Sequence, residues 1–79
     1  MTRIQEITNV LQAWIAERAG APVEPDQRYL DLGALDSYHV MELVIFAETN
    51  FGLMFSSADL ASPEFGTIAG LATLIASRT

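Results

Sequence analysis

Residues 30–43 read Leu30-Asp31-Leu32-Gly33-Ala34-Leu35-Asp36-Ser37-Tyr38-His39-Val40-Met41-Glu42-Leu43, and the switch inside that stretch from loop to helix decides the fold. Up to Leu35 no period holds, and Gly33 interrupts the chain. From Asp36 onward apolar residues recur at helical spacing. Asp36 is a strong N-cap, because its carboxylate accepts from the free amides of a first turn. The pattern predicts a helix from Asp36 or Ser37 to Asn50, with Gly52 just beyond Phe51 as its stop. On a helical wheel Val40, Leu43, Val44, Ala47 and Phe51 share one face, as a core stripe should. Tyr38, Met41 and Ile45 make a second apolar row at i, i+3 and i+7, with Glu42 and Glu48 beside it. His39 and Phe46 fall on a third side.

A helix that is apolar on more than one side is either central in a core or presents a patch to a partner. In a bundle this small no helix can be fully enclosed. The flanking glutamates favour a partner surface on the Tyr38–Met41–Ile45 row, since a charged rim around an apolar centre suits a transient interface. Deep burial is the competing explanation.

Working outward, Ile4, Ile7, Leu11, Trp14 and Ile15 form one stripe of an amphipathic helix over Thr2 to Ala19. Thr2 with Gln5 three residues on resembles a capping box, and Gly20 is the stop. Ala21 to Leu35 reads as a long ordered loop: Pro22 and Pro25 block a helix, and Tyr29, Leu30 and Leu32 anchor it to the core. A loop of this length in a compact domain is functional or disordered, and its apolar anchors favour function. Beyond the second helix, Leu53-Met54-Phe55 is a short apolar link, and Ser56 or Ser57 caps a brief turn through Leu60. Ser62-Pro63-Glu64 repeats the cap-then-proline signature, for about one turn. Thr67 caps a last helix, with Ile68, Leu71, Ala72 and Ile75 at i, i+3, i+4 and i+7. The expected interior includes Phe46, Phe51, Phe55, Met54 and Leu71. Three main helices, a short third one and a long loop between the first and second make an all-α, small four-helix bundle over residues 1–79 as a single domain.

Composition narrows the function. The chain has 79 residues, no cysteine and one histidine, so disulfides are excluded and a structural metal is not expected. Hydrophobic residues make up 51%, too many for a disordered chain of this charge density, yet no apolar run approaches a membrane span. The Met1-Thr2-Arg3-Ile4-Gln5-Glu6 start lacks the apolar block of a signal peptide. A cytoplasmic location follows as the expectation, and the start at Met1 favours a free-standing protein. Ten acids stand against four bases, for a net charge of −6. Every base is arginine, and none lies between Arg28 and Arg78. That stretch repels a phosphate backbone, so nucleic acid is not an expected partner. A protein with a basic patch is the natural electrostatic partner, although acidity also serves solubility alone.

Ser37 sits just after the probable cap, where a hydroxyl is usually exposed. The helix dipole and free amides favour a negative group at that point, so a phosphodiester on Ser37 is electrostatically welcome apart from neighbouring Asp36. By position alone Ser37 is better explained as a capping residue, because serine is common at a helix start. As a catalytic nucleophile it would need a base in reach, and the sole candidate, His39 at i+2, points away. There is no nucleophile elbow, no phosphate loop and no calcium-loop pattern. The chain does not read as an enzyme.

Taken together, the string from Leu30 to Leu43 resembles the phosphopantetheine attachment region of acyl carrier proteins, which show Asp-Leu-Gly, then Asp-Ser, an apolar residue and a Val-x-Glu-Leu-like helix. Here Val-Met-Glu-Leu is slightly rearranged from that form. The resemblance extends over nearly the whole chain in the order of its elements, with Phe51-Gly52 after the second helix, and in its length and acidity. It implies that Ser37 is the serine to which a phosphopantetheinyl transferase attaches 4′-phosphopantetheine from coenzyme A. The arm's thiol would then carry an acyl or aminoacyl thioester from a loading ligase to downstream synthase or tailoring enzymes, with the carrier itself a monomer. Asp36, Tyr38, Met41, Glu42, Ile45 and Glu48 match positions that the family uses to meet partner enzymes. Three residues, Ala34, Leu35 and Asp36, separate the loop glycine from the serine, where fatty-acid carriers usually have two. That spacing is more similar to D-alanyl carrier proteins and free-standing carriers of amino-acid-derived groups. Tyr38 replaces a usual leucine or methionine, and His39 stands where an acid is common. A dedicated natural-product or cell-envelope pathway fits these departures better than fatty-acid synthesis. The alternative is an unmodified helical adaptor that binds its partner through the same apolar row, with Ser37 only a capping residue.

Overall fold

A computed structural model of the chain describes residues 2–33 and 35–79, with the backbone alone for Leu32. Four helices follow in order: α1 (Arg3–Ala19), α2 (Ser37–Phe51), α3 (Ser57–Ala61) and α4 (Ile68–Arg78). Short 3-10 turns occupy Tyr29–Leu32 and Pro63–Gly66. There is no strand among the described residues, and the architecture is the small all-α four-helix bundle that the sequence predicts.

The helix starts follow their caps. Thr2, Asp36, Ser56, Ser62 and Thr67 each accept a backbone N–H into the side chain at an element's start. Thr2 takes the Gln5 N–H at 3.1 Å, while the reciprocal half of the expected box is not formed among the described residues. The complete box forms instead at α3, between Ser56 and Asp59. Helix α2 runs one residue past the predicted end, to Phe51.

α1 packs chiefly against α4. The two run antiparallel, because Arg3 at the start of α1 donates to the Thr79 hydroxyl at the end of α4. Ile7, Leu11, Trp14 and Ile15 meet Ile68, Leu71, Ala72 and Ile75 in one core. Ile4, expected in the same stripe, is 45% exposed, since it lies in the first turn of α1, at the end of the bundle where the two termini meet. Met54 also departs from the expected interior: it is 81% exposed. The Leu53–Phe55 link behaves as an extended segment there, with Leu53 and Phe55 turned to the core and Met54 between them turned out. Phe46 and Phe51 are half-buried against the core, and Phe46 stacks on Trp14 with ring centroids 5.4 Å apart. Of the α2 stripe, Leu43 and Ala47 are fully buried and Val40, Val44 and Phe51 partly so.

The long loop is clamped to the start of α4. Pro25 C=O accepts from Ala69 N–H at 2.9 Å, Arg28 bridges Thr67 in an antiparallel pair, and the buried Tyr29 hydroxyl donates to Phe65 C=O. Gln12 of α1 holds it from the other side, donating to Val23 C=O at 2.8 Å. Burial pushes the Tyr29 phenol far above its usual range, so it remains a neutral donor. Leu30 packs partly buried beside it. The Leu32 side chain, the third expected anchor, and Ala34 lie outside the described residues.

The close approach of Pro63–Gly66 to α4 turns on Gly70. A Cβ added there would stand 2.4 Å from the Glu64 carbonyl oxygen, whereas at Gly66 it would meet the flexible Arg28 guanidinium at 2.6 Å. Alanine normally gains about 1 kcal/mol over glycine inside a helix. Against fixed backbone, overpacking of about 1–3 kcal/mol cancels or outweighs that gain. Gly70→Ala is therefore expected to lower the thermal midpoint and Gly66→Ala to change it much less; equal midpoints for both variants and wild type would refute the packing argument.

Candidate functional site

The clamped loop delivers Ser37. From the turn at Tyr29–Leu32 the chain reverses at Gly33, whose φ of 72° is a left-handed conformation that glycine adopts without a Cβ penalty. Leu35 then buries, and Asp36, extended at φ −95°, opens α2. Its Oδ1 accepts the His39 backbone N–H at 2.9 Å. That bond is the main reason the Asp36 carboxyl is held below its ordinary range. Ser37 occupies the first position of the helix, exposed, and its hydroxyl makes no hydrogen bond among the described residues.

An exposed, unengaged hydroxyl on a rigid helix start fits a covalently attached phosphodiester, which needs access for the modifying enzyme and room for a long arm. The positive end of α2 favours that anion by roughly 0.3–1 kcal/mol. No pocket is found among the described residues, and they contain no group of three or more metal-ligating side chains.

Next to Ser37 the predicted row lies open: Tyr38, Met41 and Ile45 are 66%, 65% and 60% exposed. Deep burial is therefore not the explanation of the second apolar face. Glu42 and Glu48 are half-buried beside them. Glu48 carries a structural duty that sequence reasoning did not foresee: its Oε2 accepts the Phe55 N–H at 2.9 Å and fixes the link after α2.

Asp59 is the other missed residue. It is the one buried charged side chain among the described residues. Its Oδ2 accepts the Ser56 N–H at 2.8 Å and its Oδ1 accepts from Arg78, near the end of α4. The Ser56 N–H is the largest influence holding its carboxyl below the ordinary range, with Arg78 adding less. The Ser56-to-Asp59 spacing was a legible sign of the box, but the Arg78 partner was not. This pair and the box position α3.

Against this geometry, a family model described as "Phosphopantetheine attachment site" matches residues 5–75. The chain belongs to that family of carriers, which are not catalysts and which bear 4′-phosphopantetheine covalently. It is thus a phosphopantetheine-carrying carrier protein, and family membership does not favour the unmodified adaptor. No curated protein and no solved structure matches the chain. No helix among the described residues is long and apolar enough to cross a membrane.

Asp36 and Asp59 carry a pH signature. With folded-state values below those of the unfolded chain, both contribute stability above about pH 4 that is lost as pH falls through the lowered values. Thermal midpoints measured by circular dichroism between about pH 2 and pH 6 are expected to fall on acidification. Asp36→Asn and Asp59→Asn should each fall less steeply than wild type, and parallel curves for all three proteins would remove these carboxylates from the explanation.

Proposed function

We propose that Ser37 is the residue that bears the arm and that residues 1–79 act as one carrier domain. The supporting observation is the position of Ser37: exposed, unbonded, first in α2, and beside the exposed Tyr38–Met41–Ile45 row. A phosphopantetheinyl transferase joins the Ser37 oxygen to the phosphate of the pantetheine group taken from coenzyme A. The arm's terminal thiol holds the cargo as a thioester. The protein's own residues present and identify it: Asp36 fixes the helix start, and Tyr38, Met41, Glu42, Ile45 and Glu48 form the surface that partner enzymes read. These partners are a loading ligase and downstream synthase or tailoring enzymes with basic faces, drawn by the −6 charge into fast, salt-sensitive encounters. The protein works as a monomer in the cytoplasm.

The cargo we assign is an acyl or aminoacyl group of a dedicated pathway, in natural-product or cell-envelope assembly. Two features support a specialised carrier. Three residues stand between Gly33 and Ser37, as in D-alanyl and aminoacyl carriers, and Tyr38 gives the docking row its own chemistry.

Intact-protein mass spectrometry after incubation with coenzyme A, magnesium and a broad-specificity transferase tests the site. Wild type should gain one phosphopantetheine unit and Ser37→Ala none, with equal helicity. Modification of Ser37→Ala, or no gain on folded wild type, would refute the assignment.

The docking row has a separate test. Met41→Ala and Ile45→Ala remove exposed side chains, so stability should change by no more than about 0.5 kcal/mol. Partner docking should weaken by about 1–2 kcal/mol, seen as a raised KM for the holo carrier. Glu48→Lys is the poorer probe because it also breaks the Phe55 hydrogen bond. Unchanged partner kinetics in both alanine variants would take the row out of the recognition surface.

A further inference from the structure

His39 is the chain's one histidine, and its Nδ1 is the one buried side-chain nitrogen or oxygen without a hydrogen bond among the described residues. Such an atom needs a reason. Asp36 Oδ1 lies 3.1 Å from it, yet that oxygen already accepts the His39 backbone N–H, and its approach to Nδ1 misses hydrogen-bonding angles. By distance the two are paired and by geometry they are not bonded. The contact is therefore weak while the imidazole is neutral and becomes an ion pair once it is charged. Imidazole is the side-chain group that ordinarily changes charge between about pH 5 and 8.

Glu42 lies one turn on from His39. On α1, which meets α2 through the Trp14–Phe46 stack, Arg18 is held over the Trp14 ring and bonded to the Trp14 carbonyl. In the loop, Arg28 and Asp31 pair with each other at 3.1 Å. Tyr38 meets the imidazole edge-on, with centroids 6.2 Å apart. Asp36, 70% exposed in its side chain, is the acid that His39 addresses, and it flanks Ser37.

We propose that Asp36 and His39 form a proton-operated charge switch beside the arm: protonation of His39 closes the pair and cancels the acidic charge of Asp36 on the docking face, so that enzymes with a basic patch engage the carrier less readily as pH falls. This rests on Ser37 as the modified residue and on the α2 face as the surface that enzymes read. Losing one unit of attraction at an exposed site is a modest effect, about threefold in association. It fades in high salt, where the Debye length contracts to a few ångströms.

The test follows transferase loading by intact mass, as kcat/KM for wild type, His39→Gln and His39→Asn at about pH 8 and about pH 5.5. The ratio of wild type to variant cancels the transferase's own titrations. At low salt that ratio should be near one at the higher pH and fall about threefold at the lower, and the fall should vanish in about 0.5 M salt. A ratio that is flat with pH in both variants overturns the switch while leaving Ser37 in place. A fall that persists in high salt overturns it as well, because a packing role would not be screened. No mass gain on wild type overturns both this proposal and the assignment of Ser37.

Discussion

The clamp between the long loop and the start of α4 is the constraint on which the rest of the structure depends. Three contacts make it: Ala69 N–H to Pro25 C=O, the Arg28–Thr67 bridge, and the Tyr29 hydroxyl to the Phe65 carbonyl. The last is buried, and leaving such a donor or acceptor unmet costs about 1–3 kcal/mol. Without the clamp the residues between α1 and α2 would be a flexible tether and the start of α2 would wander. With it, the turn at Tyr29–Leu32, the reversal at Gly33 and the buried Leu35 set where Asp36 caps the helix, and so where Ser37 emerges.

A carrier must be rigid where it presents its arm and open where enzymes read it. Helix α2 meets both needs by dividing its faces. Leu43 and Ala47 sink into the core, and Phe46 stacks on Trp14. Tyr38, Met41 and Ile45 remain in solvent. Exposing three large apolar side chains in line is costly for solubility and is tolerable in a chain this acidic. In the proposed function, charge and apolar surface act at different ranges: the acids steer partners from a distance, and the apolar row engages at contact.

Two acids that look like solvated charge serve the architecture instead. Glu48 ties the link after α2 through Phe55 N–H, and Asp59 ties α3 to the end of α4 through Arg78. For Asp59, accepting the Ser56 backbone N–H also stabilises the carboxylate in its charged form. The acidity of this chain is therefore only partly a matter of partners and solubility.

The amino-acid sequence by itself determined the four helices, their caps and stops, the exposed position of Ser37 and the surplus apolar row on α2. Each of these is local: an N-cap acts within three residues, and helical periodicity places every side chain on a face relative to its neighbours. It also carried the Ser56–Asp59 spacing of the capping box. Only the tertiary structure decided that Ile4 and Met54 face solvent, that Asp59 is buried against Arg78, that Glu48 holds Phe55, and that the loop is pinned to α4. Those outcomes depend on contacts between residues far apart in the chain, such as Tyr29 with Phe65, and on where the bundle ends. Periodicity says which side chains share a face; whether anything covers that face is settled only when the other helices arrive.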